Sequence, residues 1–171
     1  MKRLLILASI LALAACSRGP ANFQPGQWEM AMEVTEVAAP SLPPAIQAQL
    51  RTALNQRQTG RDCMSAEQAA NPLRDLRAGM RQGMSRAGGQ LNCQFGNDDR
   101  FGDGRIRISA TCRPGSGPGQ ARLLMEGSYT ATTMDTRFTW TFEGPDPAGG
   151  GTRSARLSGT AKGRRIGECP R

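Results

Sequence analysis

The sequence predicts an α+β, β-rich domain: one antiparallel sheet, curved and meander-like, of about six strands, with one or two short helices packed on it. Three observations predict it. Apolar and polar residues alternate with period two in several stretches, and two intervening stretches carry apolar residues at helical spacing. Four well-separated cysteines, Cys63, Cys93, Cys112 and Cys169, are spread along the same part of the chain. A length of 171 residues suits one domain with its own core.

The elements follow in order. Residues 17–25, with Gly19, Pro20 and Pro25, read as a tether, and the folded domain is expected over residues 26–171. In Gln27–Val37, Trp28, Met30, Met32 and Val34 share one face and Glu29, Glu33 and Thr35 the other, which marks a half-buried strand. Ser41 before Pro43-Pro44 starts a helix, and Ile46, Leu50, Ala53 and Leu54 form its stripe, expected to pack on the sheet. Ser65 and Gln68 fit a capping box, but Asn71-Pro72 interrupts the helix before Leu73, Leu76 and Met80 resume its apolar face. A short, broken helix is expected there, followed by a glycine-rich loop over residues 79–90.

From Leu91 onward the pattern is that of a meander. Leu91, Cys93 and Phe95 alternate, as do Ile106, Ile108, Ala110 and Cys112 after a turn at Gly102-Asp103. A two-residue loop there sets Cys93 opposite Cys112, within reach of a cross-strand disulfide. That leaves Cys63 with Cys169. Strands are further expected at residues 121–132, 136–143 and 153–162, the middle one lined by Phe138, Trp140 and Phe142. Gly144–Gly151 reads as a loop and Gly163–Arg171 as an irregular tail.

The first residues carry an address. Lys2 and Arg3 precede an apolar run too short to span a bilayer, and Leu13-Ala14-Ala15-Cys16 resembles a bacterial lipobox. Residues 1–15 are thus expected to be a signal peptide, leaving Cys16 as the lipidated N-terminus. The resemblance implies several fatty chains, palmitate-like acyl groups among them, at Cys16, enough for stable membrane anchoring without a transmembrane helix. Ser17, rather than Asp, after that cysteine favours the periplasmic side of the outer membrane; a soluble periplasmic protein is the alternative. Export makes the even set of four remaining cysteines a disulfide framework, and the absence of histidine and of C-x-x-C pairs argues against zinc.

The chain carries 22 Lys+Arg against 14 Asp+Glu, a net charge of +8. The arginines are scattered with few aromatics between them, which reads as a solvated surface and not as a nucleic-acid stripe.

Several of these pieces occur together in one known order. Pro25-Gly26-Gln27-Trp28-Glu29, Cys63-Met64-Ser65, the Cys93–Cys112 hairpin, Gly127-Ser128-Tyr129-Thr130 and the ending Gly163-Arg164-Arg165-Ile166-Gly167-Glu168-Cys169 resemble the exported proteobacterial family of domain of unknown function 3617. The resemblance covers about residues 24–170. It implies export, the four-cysteine pattern and one antiparallel β-rich domain, and it brings no activity.

Residues able to do chemistry are sparse. Without histidine there is no Ser-His-Asp or Cys-His set, and no Ser-x-x-Lys, nucleophile elbow, Walker loop or dinucleotide fingerprint occurs. Four residues of strand separate Glu29 from Glu33 by about 13 Å, too far for the carboxylate pair of glycoside hydrolysis. Asp98, Asp99 and Asp103 near the hairpin tip offer oxygens to Ca²⁺ without EF-hand spacing, and such residues also simply favour turns. Met80 and Met84 offer two thioethers to Cu(I), in competition with core filling. The expected function is therefore a non-enzymatic, periplasm-facing envelope lipoprotein that needs no cofactor and docks an amphipathic ligand or another envelope protein. The alternatives are a hydrolase built on carboxylates such as Glu29, Glu33, Glu126 and Glu143, or a Cu- or Ca-binding protein.

Overall fold

A computed structural model describes residues 22–54, 57–86, 91–115, 117–146, 149 and 151–170. The expected signal peptide, Cys16 and most of the expected tether lie outside them. Eight strands form one antiparallel sheet: β1 (Gly26–Ala38), β2 (Gln58–Met64), β3 (Leu91–Phe95), β4 (Arg100–Gly102), β5 (Arg105–Pro114), β6 (Gln120–Tyr129), β7 (Thr133–Pro145) and β8 (Thr152–Gly167). The order across the sheet is β2-β1-β8-β7-β6-β5-β3, and β4 pairs with β5 alongside β3. The last strand thus returns to lie beside the first, and the sheet curls into a half-barrel. Helices α1 (Pro44–Leu54), α2 (Ala66–Ala70) and α3 (Pro72–Arg86) fall between the early strands.

Alternation decides the two faces. Along β5 every second residue from Ile106 to Cys112 is buried, and across the ladder these stand in rows with Leu123 and Ala121 of β6 and Phe138 of β7. This inner face, with Trp28, Tyr129 and Met134, receives α3, whose Leu73, Leu76 and Met80 pack against it. Met80 touches both clusters of the core. Phe138 pairs with Gly159 so closely that a Cβ on Gly159 would stand 2.5 Å from its ring. A glycine is needed there because the ring occupies the side-chain space of its neighbour on β8.

Several expectations are corrected. Two strands beyond the expected six are present, β2 and the short β4. β2 shows no alternation because every residue from Gln58 to Cys63 is exposed; it is an edge strand held by pairing with β1. The broken helix is as expected at Asn71, with Ser65 and Gln68 closing the capping box of α2, but α3 continues to Arg86, through the residues expected to loop. Arg77 holds it in place: its guanidinium meets Asp99 at 2.6 Å and the Gly96 carbonyl at 3.1 Å, while Arg77 and Arg81 lie over the Phe95 ring. Gly163–Gly167 is strand and not tail, because it pairs with both β1 and β7. Phe23, expected in the tether, is buried in the core. α1 was expected to pack on the sheet, yet it buries no residue, and Ile46 and Leu54 stay about 40% exposed.

Both disulfides are present as expected, Cys93–Cys112 between β3 and β5 and Cys63–Cys169 between β2 and the C-terminus. The turn is one residue later than expected, at Asp103-Gly104, whose positive φ values of 52° and 72° suit a tight hairpin. Residues 96–99 loop out between β3 and β4 and shift the register, so Cys93 still stands opposite Cys112. No helix among the described residues is long and apolar enough to cross a membrane.

Candidate ligand cavity

The inner face is not filled evenly. Phe23 is seated where Gln24 donates its backbone N–H to Ala131 at 2.8 Å and Trp28 Nε1 donates to the Gln24 carbonyl at 3.0 Å. Its ring meets those of Trp28, Phe101 and Tyr129 edge-on at 5.0–5.2 Å between centroids. This aromatic cluster floors one end of the curl. Burial, with the charge of Asp103 in second place, pushes the Tyr129 phenol above its ordinary value.

Beside it, α2 and the start of α3 lie over the inner face next to the end of β2 and leave an open cavity of about 230 Å³. Its lining is dominated by Trp28, Met30, Met64, Leu76 and Met134, with Asp62, Gln68 and Asp75 the polar contributors. Cys63 also lines it, so the Cys63–Cys169 bond holds one wall. Three unbranched thioether side chains make that wall adaptable in shape. A second apolar depression of about 380 Å³ opens at the far end of the same face, between the residues around Leu42 and the ends of β3, β6 and β7. Phe142, stacked on Trp140 with ring centroids 5.9 Å apart, is 43% exposed there, and Met32 is exposed to a similar degree.

The residues expected to carry chemistry are mostly consumed by ion pairs. Glu29 lies between Arg164 (2.7 Å) and Arg61 (3.3 Å), which hold its carboxyl below the ordinary value, Arg164 most strongly. Asp98 is likewise lowered, chiefly by Arg107, which also binds Glu126. Glu143 accepts from Gln120 at 2.7 Å. Asp99, whose side chain is 1% exposed, spends its oxygens on Arg77 and on the Ser109 N–H at 2.7 Å. Asp98 and Asp99 do come together on Ser109, but as partners of arginines and hydroxyls, and Asp103 sits at the hairpin turn instead. No group of three or more Cys, Asp or Glu among the described residues has the arrangement of a metal site. Met80 is a core side chain, and the side chain of Met84 lies outside the described residues.

Residues 23–169 match the model of a known family. The chain belongs to the DUF3617 family. Its members are described as proteins of unknown function. No curated protein and no solved structure matches the chain.

The cavity was not legible in the sequence. Trp28 and Met30 fall on one buried face and Leu76 on the apolar face of a helix, but Met134 lies between the expected strands and Met64 on an edge strand with no alternation, and no local pattern specifies that α3 crosses beside them.

Proposed function

We propose that this DUF3617 chain is a non-enzymatic envelope lipoprotein, anchored through Cys16 on the periplasmic side, that shelters the apolar part of an amphipathic ligand beneath α3. The observation that carries this reading is the cavity itself. An apolar recess walled by Trp28, three methionines and a helix suits a flexible hydrocarbon segment, for which directional contacts are few and shape must adapt. A volume near 230 Å³ fits a slim occupant such as part of one acyl chain. The second depression, on the same face, lies where a longer ligand would extend.

The test uses Trp28 as reporter and an apolar naphthylamine dye as probe. Saturable dye binding, displaced by fatty acids and weakened at least tenfold by Met134→Trp, supports the reading. Absence of saturable binding, together with empty organic extracts of protein isolated from envelopes, removes it. Mass spectrometry of the mature N-terminus tests the anchor separately: an unmodified start at any residue other than Cys16 retires it.

A second reading is favoured by one observation. Met30, Met64 and Met134 converge on the cavity, and thioethers are ligands for Cu(I). These are not the methionines the sequence pointed to. Competition against a Cu(I) chelator, with Met30→Leu and Met64→Leu as controls, decides it. A carboxylate hydrolase finds no such support, since Glu29, Asp98 and Glu126 are each held by arginine.

A further inference from the structure

The outer face of the sheet carries a second feature, independent of the cavity. Register places Gln94, Thr111, Arg122, Thr141 and Arg156 in one cross-strand row over β3, β5, β6, β7 and β8. The next row is Ser109, Leu124, Thr139 and Ser158. Neither row contains an acid between β3 and β8; on β1 the first continues to Ala38 and the second to Glu36. A shallow trough of about 540 Å³ runs along them, lined by Arg122, Arg156, Thr111, Thr141, Ser109 and Thr139 among others.

Several cations of this face, Arg105, Arg113 and Arg137 among them, meet no carboxylate among the described residues, and Arg122 and Arg156 are the two of this kind that line the trough. Arg107, Arg164 and Lys162 each meet a carboxylate, whereas Arg122 and Arg156, both exposed, meet none among the described residues. Of the acids nearest along the strands, Glu143 is engaged by Gln120 and Glu126 by Arg107, while Glu36 stands opposite Ser158 at the β1 end of the trough. Two strand spacings, about 10 Å, separate the two arginine backbones, with Thr141 midway. Long side chains on either side of a hydroxyl can therefore converge above it. Two guanidiniums over a floor of hydroxyl donors are complementary to a tetrahedral oxyanion, since each fork donates two parallel hydrogen bonds to it.

We propose that this trough is a phosphate-binding site, in which Arg122 and Arg156 clamp a phosphate group from both sides and Thr141, on the strand between them, donates from beneath. The phosphate is either that of an anionic phospholipid headgroup or a soluble phosphate. Its negative charge offsets the repulsion between the two arginines, neither of which forms an ion pair with a described carboxylate.

The experiment uses the exported chain carrying Cys16→Ser, which removes any lipid of its own. Inorganic phosphate is titrated calorimetrically, and co-sedimentation is measured with phosphatidylglycerol/phosphatidylcholine vesicles at 0.15 M salt, with and without phosphate as competitor. Expected are saturable phosphate binding, competition by phosphate for vesicle binding, and at least a tenfold loss in R122Q/R156Q with circular dichroism unchanged. R57Q/R105Q, which removes the same charge outside the trough, is expected to leave both readouts as they were. Phosphate binding without vesicle binding identifies the soluble source; competition between the two identifies the headgroup. Equal losses in the two double variants, vesicle binding that phosphate does not compete with, or no binding in either assay would overturn the site.

Discussion

At Gly159 the fold depends on the absence of one carbon. A Cβ there would press on the Phe138 ring and on the Glu33 carbonyl, both backed by a packed strand, so neither can give way cheaply. Gly159→Ala is expected to cost about 1–3 kcal/mol, as overpacking does, and to lower the unfolding midpoint in urea without changing the slope. An unchanged midpoint would show that Phe138 turns aside freely. Glu29 acts through charge instead. Arg164 and Arg61 lower its carboxyl below the ordinary value of 4.5, so its folded form holds protons less readily than the unfolded chain. Its contribution is therefore present above about pH 4.5 and is lost as the pH falls through the folded value. Glu29→Gln should flatten the decline of stability below about pH 4.5, match the parent at still lower pH, and differ less from it in 1 M salt. An acid limb identical in slope to the parent's would mean that Glu29 is not held by these arginines in solution.

Elements were legible in proportion to how much of their stability is written locally. β5, β6 and β7 show their period-two burial directly, as in Ile106, Ile108, Ala110 and Cys112, because one face is covered and the other wet. β2 was hidden because an edge strand exposed along its length owes its existence to β1 and to Cys63, not to its own pattern. The four glycines of residues 79–90 argue locally for a loop, since each glycine costs helix about 1 kcal/mol. Contacts distant in sequence outweigh that cost: Met80 bridges both core clusters and Arg77 reaches Asp99. α1 is the opposite case, with strong local signals and almost no packing, although an isolated helix of 11 residues is marginal in water. Ile46→Ser is accordingly expected to change global stability by no more than about 0.5 kcal/mol, whereas Met80→Ala should cost about 2 kcal/mol or more. Native-state hydrogen exchange should find amides of Pro44–Leu54 opening locally and those of the central part of Pro72–Arg86 only with global unfolding. Equal losses for the two substitutions would assign α1 a packing partner.

On the scale of the whole molecule, the sheet is joined mostly by neighbours in sequence; β3 skips only the short β4 to pair with β5, and the one distant pairing is the return of β8 to β1. That return brings Cys169 to Cys63 across 106 residues, while Cys93–Cys112 spans only 19 within two strands already laddered together. The two crosslinks therefore do different things. In the chain-entropy view the long loop is worth about 5 kcal/mol and the short one about 3 kcal/mol. The long one also holds the wall of the cavity, because Cys63 lines it and Met64 is the one residue of β2 that is partly buried. Cys63→Ala with Cys169→Ala should destabilise the protein more than Cys93→Ala with Cys112→Ala. At temperatures where both variants remain folded, only the first should weaken binding of the naphthylamine dye, because only it frees β2 from the C-terminus. Fluorescence titration beside urea unfolding separates the two effects. Loss of dye binding in the Cys93/Cys112 variant, or full retention in the Cys63/Cys169 variant, would show that the cavity wall stands without its crosslink.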